Sequence, residues 1–367
     1  MDDIKYMQLA IELAAKGIGK VEPNPAVGCV IVKDGQIIGK GYHEKFGQAH
    51  AEVNAFADCK QNGNDPVDAT LYVTLEPCSH SGKTPPCADA VIAAKVARVV
   101  VATKDPSDHV GGQGLARIKQ AGIEVVTGVC CDQAKALNPW FFKCAETKLP
   151  WVILKWAQSQ DGYMAYKDTT KHGQWISNEA SRKDVHALRN TVQAVLVGIN
   201  TVMEDDPQLT PRPSDGRPLM RIALDSNLKI PLESKLLDCS QYPTLIVTTK
   251  KAVEDQLDKA KAIKDKNAEI LITEGQQGKC DLNAVLTELG KRKVNRLLVE
   301  GGPTVITMFL EQNLADEAII YIGPETLAGK GSAGISDLMD YIVKSSSGII
   351  STRDINGDTK ITVGITK

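Results

Sequence analysis

His50, Cys78 and Cys87 supply one imidazole and two thiols. That donor set suits a tetrahedral zinc ion whose fourth position stays open. A water can take that position. Zinc lowers the pKa of such a water from about 15.7 to about 7, so a hydroxide nucleophile exists near neutral pH. The hydroxide needs a group to move its proton. Glu52, two residues beyond the histidine, is a carboxylate of the right kind. His50-Ala51-Glu52 alone carries little information. Followed in order by Pro77-Cys78 and Pro86-Cys87 it is far more selective. The bland alternative is two cysteines acting as small buried hydrophobes, and the paired Pro-Cys steps argue against it.

This order is the layout of zinc-dependent nucleobase deaminases, in which the glutamate shuttles protons and is not a ligand. The generic spacing has two residues between the cysteines; here residues 79–86 intervene. That loop carries His80 and Lys83, which could grip a polar ring and an anionic group or could simply be solvated. Asn24 and His43 end upstream segments that could face the same pocket.

The elements that would position these groups alternate strand and helix. Residues 7–15 have apolar side chains at helical spacing, and 27–32 with 36–41 form a hairpin around Asp34-Gly35. A helix is expected over 49–58, with His50 and Glu52 in its first turn. A strand over 70–75 delivers Glu76-Pro77-Cys78. Pro86 opens a helix at 88–94. A strand at 98–102, a helix at 114–121 and a strand at 123–127 follow. The alternation predicts one sheet covered on both faces, with the metal residues at helix starts, where such sheets place their chemistry. Residues 131–147 read as a helix that Pro139 kinks or starts late. Leu149-Pro150 then breaks the pattern, which places the division between 1–147 and 148–367.

The second half repeats the α/β alternation. Strands are expected at 151–156, 192–197, 219–224, 244–248, 296–299 and 317–321, and helices at 177–190, 282–292 and after Glu300-Gly301-Gly302-Pro303-Thr304 as far as 310. A dense loop is expected at 198–212, and residues 361–365 suit a closing strand. Gly301-Gly302 between strand and helix allows a ligand to approach bare backbone at a helix N-terminus, which favours phosphate. The ordinary G-x-G-x-x-G fingerprint is absent. Arg189 and Arg212 could bind a phosphate by fork geometry, or could be surface charge.

Composition narrows the classes. The 367 residues are 43% hydrophobic and 24% charged, with a net charge of −2 and mixed signs, so no basic field exists to hold a nucleic-acid backbone. No apolar run is long enough to span a bilayer. The acidic Met1-Asp2-Asp3 start lacks the pattern of a signal peptide, and the nine scattered cysteines suit free thiols in a reducing compartment. Both favour the cytoplasm.

Pro23-Asn24-Pro25, Val27-Gly28, Gly41-Tyr42-His43, His50-Ala51-Glu52, Leu75-Glu76-Pro77-Cys78 and the long loop to Cys87 together resemble the deaminase domain of the bifunctional riboflavin-biosynthesis deaminase–reductases. The resemblance continues in register. Leu154-Lys155, Asp161-Gly162, Gln174-Trp175-Ile176, Arg189, Gly198, Thr201-Val202, Asp205-Asp206-Pro207, Leu209-Thr210, Arg212 and Val299-Glu300-Gly301-Gly302-Pro303-Thr304 resemble the reductase domain of the same family. It implies a three-layer, cytidine-deaminase-like N-terminal domain and a dihydrofolate-reductase-like C-terminal domain that uses NADPH. It implies zinc on His50, Cys78 and Cys87, Glu52 as proton donor, and substrate contacts from Asn24, His43, His80, Lys83 and Asp105. In the reductase it implies NADP contacts from Ala157, Trp175, Thr201, Asp205, Ser226 and the run Gly302, Pro303, Thr304, Val305, Ile306, Thr307 and Met308. Its substrate contacts are Arg189, Leu209, Arg212 and Glu300, and Lys155 and Glu300 are candidates for holding the sugar. Two positions depart from the family pattern: Ser107 where an Asn usually follows Asp-Pro, and Gly173 where a Ser usually precedes Gln-Trp.

The implied chemistry is hydrolytic deamination of a diaminopyrimidine carrying a phosphoribosylamino group, then reduction of its ribosyl unit to ribityl. The partners are these small phosphoribosyl pyrimidines and a second copy of the chain in a homo-oligomer, with no nucleic acid and no membrane. Two competing readings are a nucleic-acid base deaminase with an RNA-binding second domain, and a closed structural zinc site with His80 as fourth ligand. The first requires a basic face that the charge pattern lacks.

Overall fold

The computed structural model describes residues 2–79, 86–107, 111–168, 175–214, 216–217, 219–328, 330–334, 342 and 346–365. The chain divides into two compact units, Met1–Lys148 and Leu149–Lys367. His80, Lys83 and Gly173 lie outside the described residues.

In the first unit the sheet order is β2-β1-β3-β4-β5, with β1 (Gly28–Lys33), β2 (Gln36–Tyr42), β3 (Thr70–Leu75), β4 (Arg98–Thr103) and β5 (Glu124–Thr127). β1 runs antiparallel to β2 and β3, while β3, β4 and β5 are parallel. Asp34 and Gly35 both take positive φ, 50° and 75°, the backbone that a tight hairpin requires. β1 and β3 are apolar almost throughout because both of their faces are covered. On one face, Ala55 of α2 (Ala51–Gln61), Val91 of α3 (Cys87–Ala93) and Ile118 of α4 (Gln113–Gln120) pack on Ile31, Val73 and Val101. On the other, Met7 and Ala10 of α1 (Asp3–Ala15) and Ala134 of α5 (Cys131–Ala136) pack on Val30, Tyr72 and Val100. The result is three layers. α2 presses directly on the backbone of β2: a Cβ at Gly41 would lie 2.3 Å from the Ala55 nitrogen.

Two boundaries differ from the sequence reading. α2 starts at Ala51, so His50 is its N-cap, in extended backbone and with no capping bond from its side chain. The expected helix over 131–147 is two helices, α5 and α6 (Pro139–Thr147), because Pro139 has no N–H to continue the ladder and begins a new helix as its first residue.

The second unit is built on a nine-stranded sheet, order β11-β10-β9-β8-β12-β6-β13-β16-β15. Its strands are β6 (Trp151–Gln158), β8 (Ala194–Gly198), β9 (Met220–Leu224), β10 (Thr244–Thr248), β11 (Glu269–Ile272), β12 (Arg296–Val299), β13 (Glu317–Ile322), β15 (Ser346–Ile355) and β16 (Asp358–Ile365). The run from β11 to β13 is parallel and the last two strands are antiparallel. β7 (Tyr163–Tyr166) pairs separately with β14 (Gly331–Gly334). Alternation along β6 sends Leu154 and Trp156 into the core under α11 (Leu282–Lys291) and α12 (Pro303–Glu311). Ile153 and Ala157, and hence Lys155, face the other side, where α7 (Glu179–Arg189) packs through Val185. Part of the expected 198–212 loop is a short helix, α8 (Ile199–Asp205). Ahead of α11 the chain forms α9 (Lys250–Asp255) and α10 (Leu257–Asp265).

Candidate zinc and nucleotide sites

β3 ends at Leu75 and hands the chain to Cys78, while α2 and α3 lie side by side with their N-termini toward it. His50 Nδ1 stands 3.3 Å from Cys87 Sγ and 3.7 Å from Cys78 Sγ, and the three ligand atoms all fall within 4.8 Å of one another. An imidazole and two thiols this close fit zinc by donor chemistry. The Cys78 thiol is drawn down to about 4, chiefly by the hydrogen bond from the Cys87 thiol and then by His50. The Cys87 backbone N–H also donates to Cys78 Sγ at 3.3 Å. The Cys87 thiol is raised, because it donates its hydrogen to the Cys78 sulfur and because it is buried. Glu52 is 3% exposed, and burial lifts its carboxyl to about 7. A carboxyl there can both take and return a proton near neutral pH.

Around this centre a hydrogen-bond chain fixes His43, which is 2% exposed. Its Nδ1 lies 3.0 Å from the Ala49 carbonyl oxygen, which can only accept, so Nδ1 carries the hydrogen. Nε2 is then the acceptor for Asn24 Nδ2 at 3.3 Å, so the Asn24 carbonyl oxygen takes no part in this contact. Burial and the neighbouring His50 hold the His43 imidazole below its usual range, in the neutral form this arrangement needs. Asp105 Oδ1 accepts both the N–H of Ser107 at 2.8 Å and the Ser107 hydroxyl. The serine that departs from the family pattern is therefore turned onto Asp105. Glu76, quoted only as part of a motif at the sequence level, is buried and accepts the backbone N–H groups of Asp105 at 3.2 Å, Gly112 at 2.9 Å and Leu115 at 3.2 Å.

In the second unit the carboxyl ends of the parallel strands carry the residues singled out from sequence. Glu300 follows β12 and is forked by Arg189 at the end of α7: Nε to Oε1 2.6 Å, Nη2 to Oε2 3.1 Å. Lys155 Nζ lies 3.8 Å from Glu300 Oε2 and 5.8 Å from the Tyr321 ring centroid. Burial pushes the Glu300 carboxyl up, but Arg189 and Lys155 outweigh it and hold the group below the usual range. Burial also lowers Lys155. Arg189 is neither surface charge nor an open fork: Nε and Nη2 are engaged by Glu300, and Nη1 donates to the Thr210 carbonyl at 3.0 Å. That carbonyl also holds His186 Nδ1 at 3.1 Å, a contact that sequence reading did not single out. It follows Leu209, buried in left-handed backbone with φ 54°. Arg212 stays exposed and donates to Gln208.

Gly301 and Gly302 separate into two roles. A Cβ at Gly301 would lie 2.7 Å from Val305 Cβ, and one at Gly198 would lie 2.8 Å from Val305 Cγ2, so these two glycines let α12 close onto the carboxyl ends of the central strands β8 and β12. A Cβ at Gly302 would meet nothing within 4 Å, and Gly302 has an ordinary φ of −70°. Packing within the chain does not require that glycine. The open space beside it, at the N-terminus of α12, fits a nucleotide phosphate. Ala157, Thr201 and Ser226 lie at or just beyond the carboxyl ends of β6, β8 and β9, and Asp205 is the last residue of α8. Within the 302–308 run, Val305 and Ile306 point into the core, so only their backbone can face a cofactor. Ser226 Oγ is engaged with Cys280, donating to Sγ at 3.3 Å and accepting its N–H at 3.1 Å. Trp175 is 59% exposed, with Arg182 5.4 Å over its ring.

The profile of the cytidine and deoxycytidylate deaminase zinc-binding region matches residues 1–103, and that of the RibD C-terminal domain matches residues 150–340. Riboflavin biosynthesis protein RibD of Aquifex aeolicus (strain VF5) is 44% identical over 338 residues, covering 92% of this chain and 90% of the relative. The Escherichia coli (strain K12) protein of the same name is 40% identical, covering 92% of each. The chain belongs to the RibD family. As a RibD-family protein it is a bifunctional deaminase and reductase of riboflavin biosynthesis, with zinc and NADPH as cofactors. Solved relatives agree over the whole length. An Acinetobacter baumannii RibD superposes with a TM-score of 0.80 at 34% identity, covering 100% of this chain and 99% of that one. A diaminohydroxyphosphoribosylaminopyrimidine deaminase/5-amino-6-(5-phosphoribosylamino)uracil reductase of Thermotoga maritima superposes at 0.77 and 34%, covering 99% and 98%. The match of residues 150–340 to the RibD C-terminal domain does not favour an RNA-binding second domain. Among the described residues no helix is long and apolar enough to cross a membrane.

Proposed function

We propose that the two RibD activities are carried by the two clusters described above. In the first unit His50, Cys78 and Cys87 hold the metal, and Glu52 serves hydrolytic deamination of 2,5-diamino-6-(5-phosphoribosylamino)pyrimidin-4(3H)-one. Zinc, when bound there, supplies a water acidic enough to attack near neutral pH. Glu52 takes a proton from the attacking water and passes it to the ring nitrogen, then carries the remaining hydroxyl proton of the adduct to the departing amine as the carbonyl forms. The carbon–nitrogen bond breaks, ammonia leaves and the uracil ring remains. Asn24, His43 and Asp105 orient the ring, the Asn24 side-chain oxygen accepting from a ring or exocyclic N–H. His80 and Lys83 belong to this group on the resemblance alone.

In the second unit NADPH supplies a hydride to the first carbon of the opened ribosyl unit of 5-amino-6-(5-phosphoribosylamino)uracil. Ionised Glu300, held by Arg189 and Lys155, accepts hydrogen bonds from sugar hydroxyls, and Lys155 donates to the same sugar. Leu209 shapes the wall and Arg212, exposed beside it, meets the substrate phosphate. Ala157, Trp175, Thr201, Asp205, Ser226 and Gly302 to Met308 hold the cofactor. We also infer a cytoplasmic homo-oligomer. Edge strand β15 leaves Ile349 and Ile350 66% and 65% exposed, an edge that invites pairing; light scattering would give the mass.

The observation that carries this reading is the convergence of His50, Cys78 and Cys87 within 4.8 Å, beside buried Glu52. The test supplies the diaminopyrimidine ribosyl phosphate and NADPH to wild type and Glu52→Gln, following ammonia release and nicotinamide absorbance. Wild type should show both signals. The variant should consume NADPH only when given the deaminated intermediate. Ammonia release by the variant at the wild-type rate would sink the assignment of Glu52.

A further inference from the structure

Asn138 is the N-cap of α6, yet its side chain makes no capping bond. Instead the amide is turned to Ala26, 112 residues earlier, and both ends are used. Its Oδ1 accepts the Ala26 N–H at 2.7 Å, and its Nδ2 donates to the Ala26 carbonyl at 2.8 Å. Asn138 is 5% exposed and Ala26 2%. The side chain thus imitates a neighbouring β-strand for one residue, satisfying two buried backbone groups that have little access to water.

Ala26 lies in the segment that shapes the deamination pocket. Two residues before it, Asn24 meets His43 Nε2 at 3.3 Å. One residue after it, the Val27 carbonyl accepts the His43 N–H at 2.9 Å. His43 in turn reaches the Ala49 carbonyl, next to the ligand His50. We propose that Asn138 is a positioning residue for deamination: from the start of α6 it sets the backbone of residues 24–27, and through it Asn24 and His43. The inference rests on reading Asn24 and His43 as substrate contacts. It places a determinant of the first reaction in the last helix of its unit, beyond the 1–103 stretch that carries the deaminase profile.

The test uses the full chain with Asn138→Ala and Asn138→Asp. The aspartate is nearly isosteric. It keeps the acceptor for the Ala26 N–H but sets a carboxylate oxygen against the Ala26 carbonyl. A space-filling role predicts that Asn138→Asp behaves as wild type. A positioning role predicts that kcat/KM for ammonia release falls about ten- to a hundredfold in both variants, the range for a small misplacement of a binding group. Zinc content and the rate of NADPH oxidation with supplied deaminated intermediate should not change. Amide exchange in a peptide covering 22–28 should speed up in both variants. That readout does not depend on activity, so it still reports on the clamp if wild type fails to deaminate and the functional reading is wrong. Wild-type kcat/KM in both variants overturns the proposal. So does joint loss of reduction, zinc and cooperative unfolding, which would make Asn138 a general stability residue.

Discussion

At the scale of single residues, the reductase cluster makes the sharpest demand. Arg189 and Lys155 are largely buried cations, and among the described residues Glu300 is the one carboxylate that meets both. Replacing it by an amide keeps the shape but leaves two cations facing each other. Breaking a buried pair by removing one partner costs about 3–5 kcal/mol. Glu300→Gln should therefore lose most reduction of the supplied intermediate and lower the urea midpoint, while ammonia release persists; a variant that reduces at the wild-type rate would show that Glu300 does not hold the sugar. Much of this chemistry was legible in the sequence, because His50, Glu52, Cys78 and Cys87 are recognisable by type and order. What was not legible are the clamps. Asn138 meets Ala26 across 112 residues, and Glu76 meets Leu115 across 39. No local pattern marks such a bond, and an Asn before a Pro reads as a helix start. The closed fork of Arg189 was hidden for the same reason: the sequence shows the guanidinium but not the carboxylate that takes it.

At the scale of elements, the strands that are buried on both faces were easy to read, since continuous apolar runs leave little choice. Helix α8 was missed because Asn200, Thr201, Glu204 and Asp205 resemble a loop, and its one fully buried side chain, Val202, sets no period. The two glycines before α12 provide a direct test of how that helix is used. Gly301→Ala must push Val305 aside and should destabilise the protein by about 1–3 kcal/mol, read as a lower melting temperature. Gly302→Ala meets nothing and should leave melting unchanged. It should instead raise KM for NADPH about tenfold, the equivalent of one hydrogen bond lost to the cofactor. Unchanged KM in the second variant would remove the phosphate from this turn. Helix α1 offers a pH test. Arg98 donates to both oxygens of Asp3 at 2.8 and 2.9 Å, and the Tyr72 hydroxyl donates at 2.9 Å. The hydrogen bond from Arg98 leads in holding the Asp3 carboxyl below its usual 3.8. A carboxyl lowered on folding contributes stability above its unfolded pKa and loses it as pH falls through the folded one. Asp3→Asn should thus be less stable than wild type by about 1 kcal/mol at pH 7. The gap should close below pH 3.8, as followed by urea midpoints; a constant gap across that range would show that the ion pair is not its source.

At the scale of the whole molecule, each unit contains its own layers, its own core and its own reactive cluster. The proposed metal ligands all belong to Met1–Lys148, and the Lys155, Arg189 and Glu300 cluster belongs to Leu149–Lys367. Nothing in the second cluster has the donor chemistry of the first: among the described residues, the only grouping of His, Cys, Asp and Glu side chains close enough to hold a metal is His50, Cys78 and Cys87. The two reactions should therefore separate by metal removal. Zinc binding to two thiolates requires their protons to leave, so a chelator acts more readily at mildly acidic pH, where the thiols are reclaimed. After chelation ammonia release should fall to background, whereas NADPH oxidation with the supplied uracil intermediate should stay at its starting rate. With the diaminopyrimidine as the sole substrate both signals should vanish together, because reduction waits on the deaminated product. Restoring equimolar zinc should restore both. If chelation stopped reduction of the supplied intermediate as well, the metal would be serving the fold of the second unit or its chemistry, and the division of labour between the two sheets would be wrong.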